Sequence, residues 1–266
     1  MAASICPTID AADSTEFRAQ TESVASFATR LHIDVADGSM TPNQLVEVAD
    51  IWWPGGIRAD VHVMMLRPLE HLPALVALGP QLVIVHAEAE GDFFEFAAQL
   101  HHHGIEAGIA LLPETPVEAI APGLDVIDHV LIFSGNLGHF GGQADLTLLE
   151  KAAQLRQLKP QLELGWDGGV NDSNIKQLVD GGIDVLNVGS FIQKASNPHA
   201  AYATLKTELR VAGPAYQSRQ LTAENSQATT SVRSTRSIQS AQTSHRARGA
   251  YHNATNLFHR RPRTQS

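Results

Sequence analysis

A chain of 266 residues, 43% of them hydrophobic, is long enough to build one large α/β domain around a sizeable core. Its single cysteine, Cys6, excludes an intramolecular disulfide, has no cysteine or histidine partners at zinc-finger spacing, and reads as a small buried apolar residue. The net charge of −9 is unevenly divided, because residues 217–266 hold eight arginines and one acid, Glu224, for about +7 against about −16 elsewhere.

The opening "MAASICPTIDAADS" lacks the basic segment and apolar run of a secretory signal, and no later stretch approaches the roughly 20 apolar residues of a membrane span. The expectation is a soluble, cytoplasmic protein with no membrane partner. In chain order, "SICPTI" reads as a first strand, "TEFRAQTESVASFATR" as a helix, "RLHIDV" and "IRADVHVMM" as the next strands, and "LEHLPALVALG" as a second helix. Strand "LVIVHA", helix "DFFEFAAQLHHHG", then strands "IEAGIALL" and "HVLIFS" follow. Helix "LTLLEKAAQLRQLK", strand "LELGW", helix "NIKQLVDGG", strand "DVLNVGS" and helix "PHAAYATLKTELR" complete the pattern.

Eight βα repeats in about 210 residues predict a closed (β/α)8 TIM barrel over residues 1–212, at the small end of that fold's range. An open doubly wound sheet is the alternative; it calls for a dinucleotide-binding glycine pattern after the first strand, and "CPTIDAADS" has none. Residues 213–266 are rich in Ser, Thr, Gln and Arg without sustained periodicity. They cannot bury enough apolar area to offset their ordering entropy, so a disordered tail is expected, read as a solvated extension rather than a nucleic-acid contact. The glycosylation triplet at Asn253 reads as a chance match.

Active sites of barrels lie where strand C-termini meet the following loops, and the polar residues fall there. His32 and Asp34 close the second strand and, two apart, share one face; Asp60 and His62 repeat the spacing one strand later, and Asp167 follows the seventh strand. Two imidazoles and two carboxylates, His32, Asp34, His62 and Asp167, make a candidate site for one divalent metal ion. Mixed nitrogen and oxygen donors suit Zn²⁺, Fe(II) or Mn²⁺ better than Ca²⁺ without selecting among them.

Glycines supply a second half. "GHFGGQ" at residues 138–143, "DGGV" at 167–170 and "VGS" at 188–190 follow the sixth, seventh and eighth strands. Loops after strands seven and eight of barrels commonly bind phosphate, because glycine lets backbone N–H groups approach the anion.

These motifs together resemble the ribulose-phosphate 3-epimerase family, over about residues 4–210. "LHIDVADG" is similar to the family's His-x-Asp-Val-Met-Asp-Gly element, "DVHVM" to its Asp-Val-His-Leu-Met, and "GHFGGQ" to its Gly-Phe-Gly-Gly-Gln, while "WDGGVN" and "VGS" look like its acidic and phosphate-binding loops. The resemblance implies an isomerase of carbohydrate metabolism that interconverts D-ribulose 5-phosphate and D-xylulose 5-phosphate, in the pentose phosphate pathway, with one metal ion. It implies Asp34 and Asp167 as acid and base on opposite faces of a planar enediolate, besides their place among the ligands. It further implies that Gly141, Gly142, Gly168, Gly169, Gly189 and Ser190 hold the phosphate, with Thr8 and His62 against the substrate, Met64 in an apolar cap, and a homo-oligomeric assembly. A related epimerase of a hexulose 6-phosphate, or a sugar-phosphate-binding barrel without turnover, are the rival readings.

The chain departs from the family pattern in places. Ala36 and Phe133 stand where methionines are usual, Leu137 replaces a proline, and the loop from Gly138 to Gln143 holds one extra residue, placed at His139. Other residues read as structural: His101 to His103 as a solvated run at a helix C-terminus, and Trp52 and Trp53 as cover for the barrel surface. His86 and Glu88 share a face at the end of the fourth strand and are candidates to support the site from behind.

Overall fold

The computed structural model describes residues 3–135, 137 and 141–210. The predicted tail, and Gly138, His139 and Phe140 of the glycine loop, lie outside the described residues.

Eight parallel strands form a closed barrel: β1 (Ser4–Ile9), β2 (Arg30–Val35), β3 (Arg58–Val63), β4 (Leu82–His86), β5 (Glu106–Leu111), β6 (His129–Phe133), β7 (Glu163–Asp167) and β8 (Val185–Val188). Each pairs with the next, and β1 closes the ring against β8 with Cys6 opposite Asn187. Helices α1 (Ser14–Val24), α2 (Leu72–Leu78), α3 (Phe93–His102), α4 (Leu149–Leu158), α5 (Ile175–Asp180), α6 (Ser190–Gln193) and α7 (Pro198–Arg210) surround it. Asp13 and Asp92 start α1 and α3 by accepting backbone N–H bonds from the first turn, and Gly79 ends α2 in the left-handed conformation. Among the described residues, no helix is long and apolar enough to cross a membrane.

The βα alternation is incomplete in two places. The β2–β3 connection carries a 3₁₀ turn at Val48–Asp50, and the β5–β6 connection carries two, at Val117–Ala119 and Ala121–Val126. The last of these includes Pro122 and Gly123, which disfavour a longer α-helix. The first helix ends at Val24 rather than running on to Arg30, since Arg30 is committed to the β2–β3 pairing opposite Arg58.

Alternation within the strands sorts the side chains. Leu31, Ile33 and Val35 of β2, with Val61 and Val63 of β3, point outward into the apolar layer between barrel and helices. The inward residues stack in tiers. A thin apolar tier of Leu82, Ile84, Ala110 and Leu131 separates two polar ends.

The lower end, at the strand N-termini, is closed by ion pairs. Arg30 donates from Nε to Asp60 at 2.6 Å and through both terminal nitrogens to Glu163 at 2.9 and 2.8 Å, while His129 Nδ1 lies 2.8 Å from Glu163. Arg58 reaches Glu106 at 2.6 Å. Burial would raise the Glu163 carboxyl, but its bonds to Arg30 and His129 hold it well below its ordinary 4.5. A carboxyl depressed in this way stabilises the fold fully above its unfolded value and loses that stabilisation as pH falls through the folded one. Glu163→Gln is therefore expected to cost about 1–3 kcal/mol near neutral pH, because it removes one charged partner of Arg30 while Asp60 remains. Urea unfolding at pH 7 and below pH 4 checks this: the gap between wild type and variant should narrow in acid.

Candidate metal and sugar-phosphate site

The upper end of the barrel gathers the polar residues of the strand C-termini. Register places His32 opposite Asp60 and Asp34 opposite His62, and in β7 and β8 it sets Asp167 opposite Asn187. One donor atom from each of His32, Asp34, His62 and Asp167 lies within 4.8 Å of the others. No other such cluster of three or more occurs among the described residues.

Within this group the contacts are short. His62 Nδ1 is 2.8 Å from Asp34 Oδ1, and His32 Nε2 is 3.2 Å from Asp34 Oδ1 and 3.3 Å from Asp167 Oδ2. His32 Nε2 is buried and has no hydrogen-bond partner among the described residues. The nitrogen sits 3.2 and 3.3 Å from two carboxylates that converge with His62 on one point, and two nitrogens with two carboxylate oxygens suit a divalent ion. The residues fit the group.

Electrostatics separate the two imidazoles. Burial pushes His32 down, but the facing charges of Asp34 and Asp167 overcome it and raise the ring to about 10. His62, also buried, is held below its usual 6.5 despite Asp34. Burial would raise Asp34, but His32 and then His62 draw it well below the carboxylate range.

A polar chain continues behind His62. Its Nε2 lies 2.9 Å from His86 Nε2, and His86 Nδ1 lies 3.3 Å from Glu88 Oε2. Glu88 in turn accepts from the Leu112 N–H at 3.2 Å and from the Thr115 hydroxyl. Only one proton fits between the two Nε2 atoms. If His62 carries it, His62 Nδ1 keeps its lone pair for the metal, and His86 donates from Nδ1 to Glu88.

Above the cluster opens a cavity lined by Thr8, Asp10, Asp34, Met64, Phe133 and Asp167 on the strand side, and by Gly141, Gly168, Gly169, Gly189 and Ser190 on the loop side. Thus most of the glycines singled out in the sequence converge with the carboxylates, whereas Gly142 is outside the lining and His62 is sealed beneath it. Met64 packs with Leu45 and Leu137 around Ala36, so those leucines occupy the apolar cap beside the small residue. Phe133 lies with its ring 6.1 Å from His62 and 5.9 Å from His86.

Asp10 also lines the cavity and was not singled out by its motif. Burial, followed by the charge of Asp34, raises it to about 7. His101 pairs instead with Asp128 at 2.7 Å on the surface, and Trp52 packs on Phe17 under Arg18.

A family model described as the ribulose-phosphate 3-epimerase family matches residues 4–193. The chain belongs to the ribulose-phosphate 3-epimerase family. It is 34% identical over 210 residues to a ribulose-phosphate 3-epimerase of Helicobacter pylori, covering 76% of this chain and 96% of that one. A protein of the same name from Mycobacterium leprae is 34% identical over 221 residues, covering 79% and 96%. Among solved structures, 3-hexulose-6-phosphate synthase from Salmonella typhimurium superposes with a TM-score of 0.61 at 15% identity, covering 79% of this chain and 99% of that one, a likeness of fold. Membership makes this protein an isomerase-class enzyme of carbohydrates.

The epimerase loop after β7 depends on two adjacent glycines. Gly168 and Gly169 have φ of +108° and +70°; a Cβ on Gly168 would sit 2.8 Å from the Ser134 carbonyl carbon, and one on Gly169 would collide with the backbone of Gln143 and Ala144. Their carbonyls accept from Trp166 Nε1 at 3.0 Å and from Asn174 Nδ2 at 2.8 Å, which anchors the turn. Gly169→Ala should displace the loop on the glycine side of the cavity and lower kcat/KM by about 10²-fold, as misplacements of about an ångström do. Steady-state kinetics check this, and binding of inorganic phosphate should weaken in parallel.

Proposed function

We propose that this epimerase-family protein interconverts D-ribulose 5-phosphate and D-xylulose 5-phosphate by inverting C3, a step of the pentose phosphate pathway. The observation that carries the reading is the pair of carboxylates, Asp34 and Asp167, converging from β2 and β7, three strands apart around the ring, on a His32 Nε2 that has no hydrogen-bond partner among the described residues.

His32, Asp34, His62 and Asp167 would hold one ion, of Zn²⁺, Fe(II) or Mn²⁺. When bound, that ion supplies Lewis-acid stabilisation of the negative charge that develops on the substrate oxygens as the C3 proton leaves. One aspartate takes the proton from C3 and leaves a planar enediolate. The other, protonated, returns a proton to the opposite face, and inversion follows because the two carboxyls approach from different strands. Met64, with Leu45 and Leu137 around Ala36, and Phe133 shield the reacting carbons from water. Gly141, Gly168, Gly169, Gly189 and Ser190 present backbone to the phosphate, and Thr8 stands against the sugar. A homo-oligomer, on the strength of the family resemblance, and a cytoplasmic location, from the composition of the sequence, remain part of this reading.

The test is turnover of ribulose 5-phosphate beside a hexulose 6-phosphate, each with Zn²⁺, Mn²⁺ or Fe(II) supplied. The expected result is a higher kcat/KM for the pentulose. Preference for the hexulose would reassign the substrate, and binding without turnover of either would make the protein a sugar-phosphate-binding barrel.

A further inference from the structure

Asn187 of β8 is buried at the inner face of the barrel, beside both the cavity and the four candidate metal ligands. Its Nδ2 lies 3.0 Å from His32 Nδ1, and its Oδ1 is buried with no hydrogen-bond partner among the described residues. The two ends of an amide are nearly identical in shape, so which one faces the ring follows from the protons and not from the outline. With Nδ2 toward the ring, Nδ1 must accept and the His32 proton must sit on Nε2, between Asp34 and Asp167. With the amide turned over, Oδ1 accepts from Nδ1–H, its missing partner is supplied, and Nε2 is the nitrogen left to face a divalent ion.

We propose that Asn187 is a positioning residue: it presents Oδ1 to His32 Nδ1–H and so fixes the ring in the tautomer whose Nε2 can bind a divalent ion. The inference rests on the metal-site reading above. It gives the two histidines matching supports, since His62 is backed by His86 and Glu88 and His32 by Asn187. The chemistry accords with the general behaviour of ligating imidazoles, whose second nitrogen donates to an oxygen acceptor that sets both tautomer and orientation.

Two substitutions separate this role from simple packing. Asn187→Leu fills similar volume but cannot accept, whereas Asn187→Asp keeps an oxygen acceptor at the same place. Zn²⁺ affinity, measured by chelator competition on the whole chain, should fall about 10- to 100-fold for Asn187→Leu and be retained or tightened for Asn187→Asp. In the Zn²⁺-loaded wild type, nitrogen-15 NMR should show a slowly exchanging proton on His32 Nδ1, retained in Asn187→Asp and exchanging faster in Asn187→Leu. Equal Zn²⁺ affinity across wild type and both variants, or a His32 Nδ1 without a proton in the loaded wild type, overturns the role of Asn187 while leaving the metal site standing. A wild type that binds no Zn²⁺, Mn²⁺ or Fe(II) overturns the site itself and the proposal with it.

Discussion

Asp34→Asn and Asp167→Asn are each expected to lower kcat by about 10²- to 10⁴-fold, the range lost when a positioned acid or base is removed. Asparagine keeps the shape and one oxygen of the carboxylate but neither carries the charge nor exchanges the proton at C3. The two variants should differ in metal affinity. Asp34 lies between the two histidines, 2.8 Å from His62 Nδ1 and 3.2 Å from His32 Nε2, so its variant loses more affinity than Asp167→Asn, whose carboxylate pairs with His32, at 3.3 Å, and not with His62 among the described residues. Kinetics at saturating metal isolate the proton-transfer loss, and a thermal unfolding curve shows whether the barrel survives. Either variant retaining more than a tenth of wild-type kcat under those conditions would remove that aspartate from the acid–base pair.

Removal of the ion should abolish turnover, and restoring Zn²⁺, Mn²⁺ or Fe(II) should recover it. Loading should also depend on pH with a defined sign. In the metal-free protein His32, raised to about 10, carries a proton at neutral pH that the incoming ion must displace, while His62, held below its usual value, is already neutral. Displacement of one proton makes affinity rise roughly tenfold per pH unit, up to the value at which His32 deprotonates by itself. Chelator competition between pH 6.5 and 8.5 measures the slope. A flat response would mean that His32 is not protonated in the empty site.

The eight strands and the barrel were legible in the sequence because short aliphatic runs recur between amphipathic stretches. The inward pairs on β2 and β3 were legible for a simpler reason: with a period of two, His32 with Asp34 and Asp60 with His62 must each share a face. Which polar residues meet across the barrel was less accessible. Arg30 and Glu163 stand 133 positions apart, and nothing local to either marks the pair. Asn187 is a single amide in an aliphatic strand, and its value comes from β8 being placed beside β7 with β1 and β2 around the ring, a consequence of closure. The connections after β2 and β5 carry 3₁₀ turns in place of α-helices, in keeping with the sequence, whose six helical stretches all follow other strands. Ala36 is a further case in which packing, not position, is decisive. Its sequence position suggests a gap in the apolar cap, but only the packing of Leu45, Met64 and Leu137 shows what stands around it.

The most direct measurement is proton NMR of ribulose 5-phosphate in D₂O with the metal-loaded protein. The four-residue site is expected to support proton exchange at C3. The predicted result is deuterium entering at C3 as xylulose 5-phosphate forms, with both processes lost on chelation. Retention of the C3 proton, with no epimer formed by the fully loaded, folded protein, would contradict it.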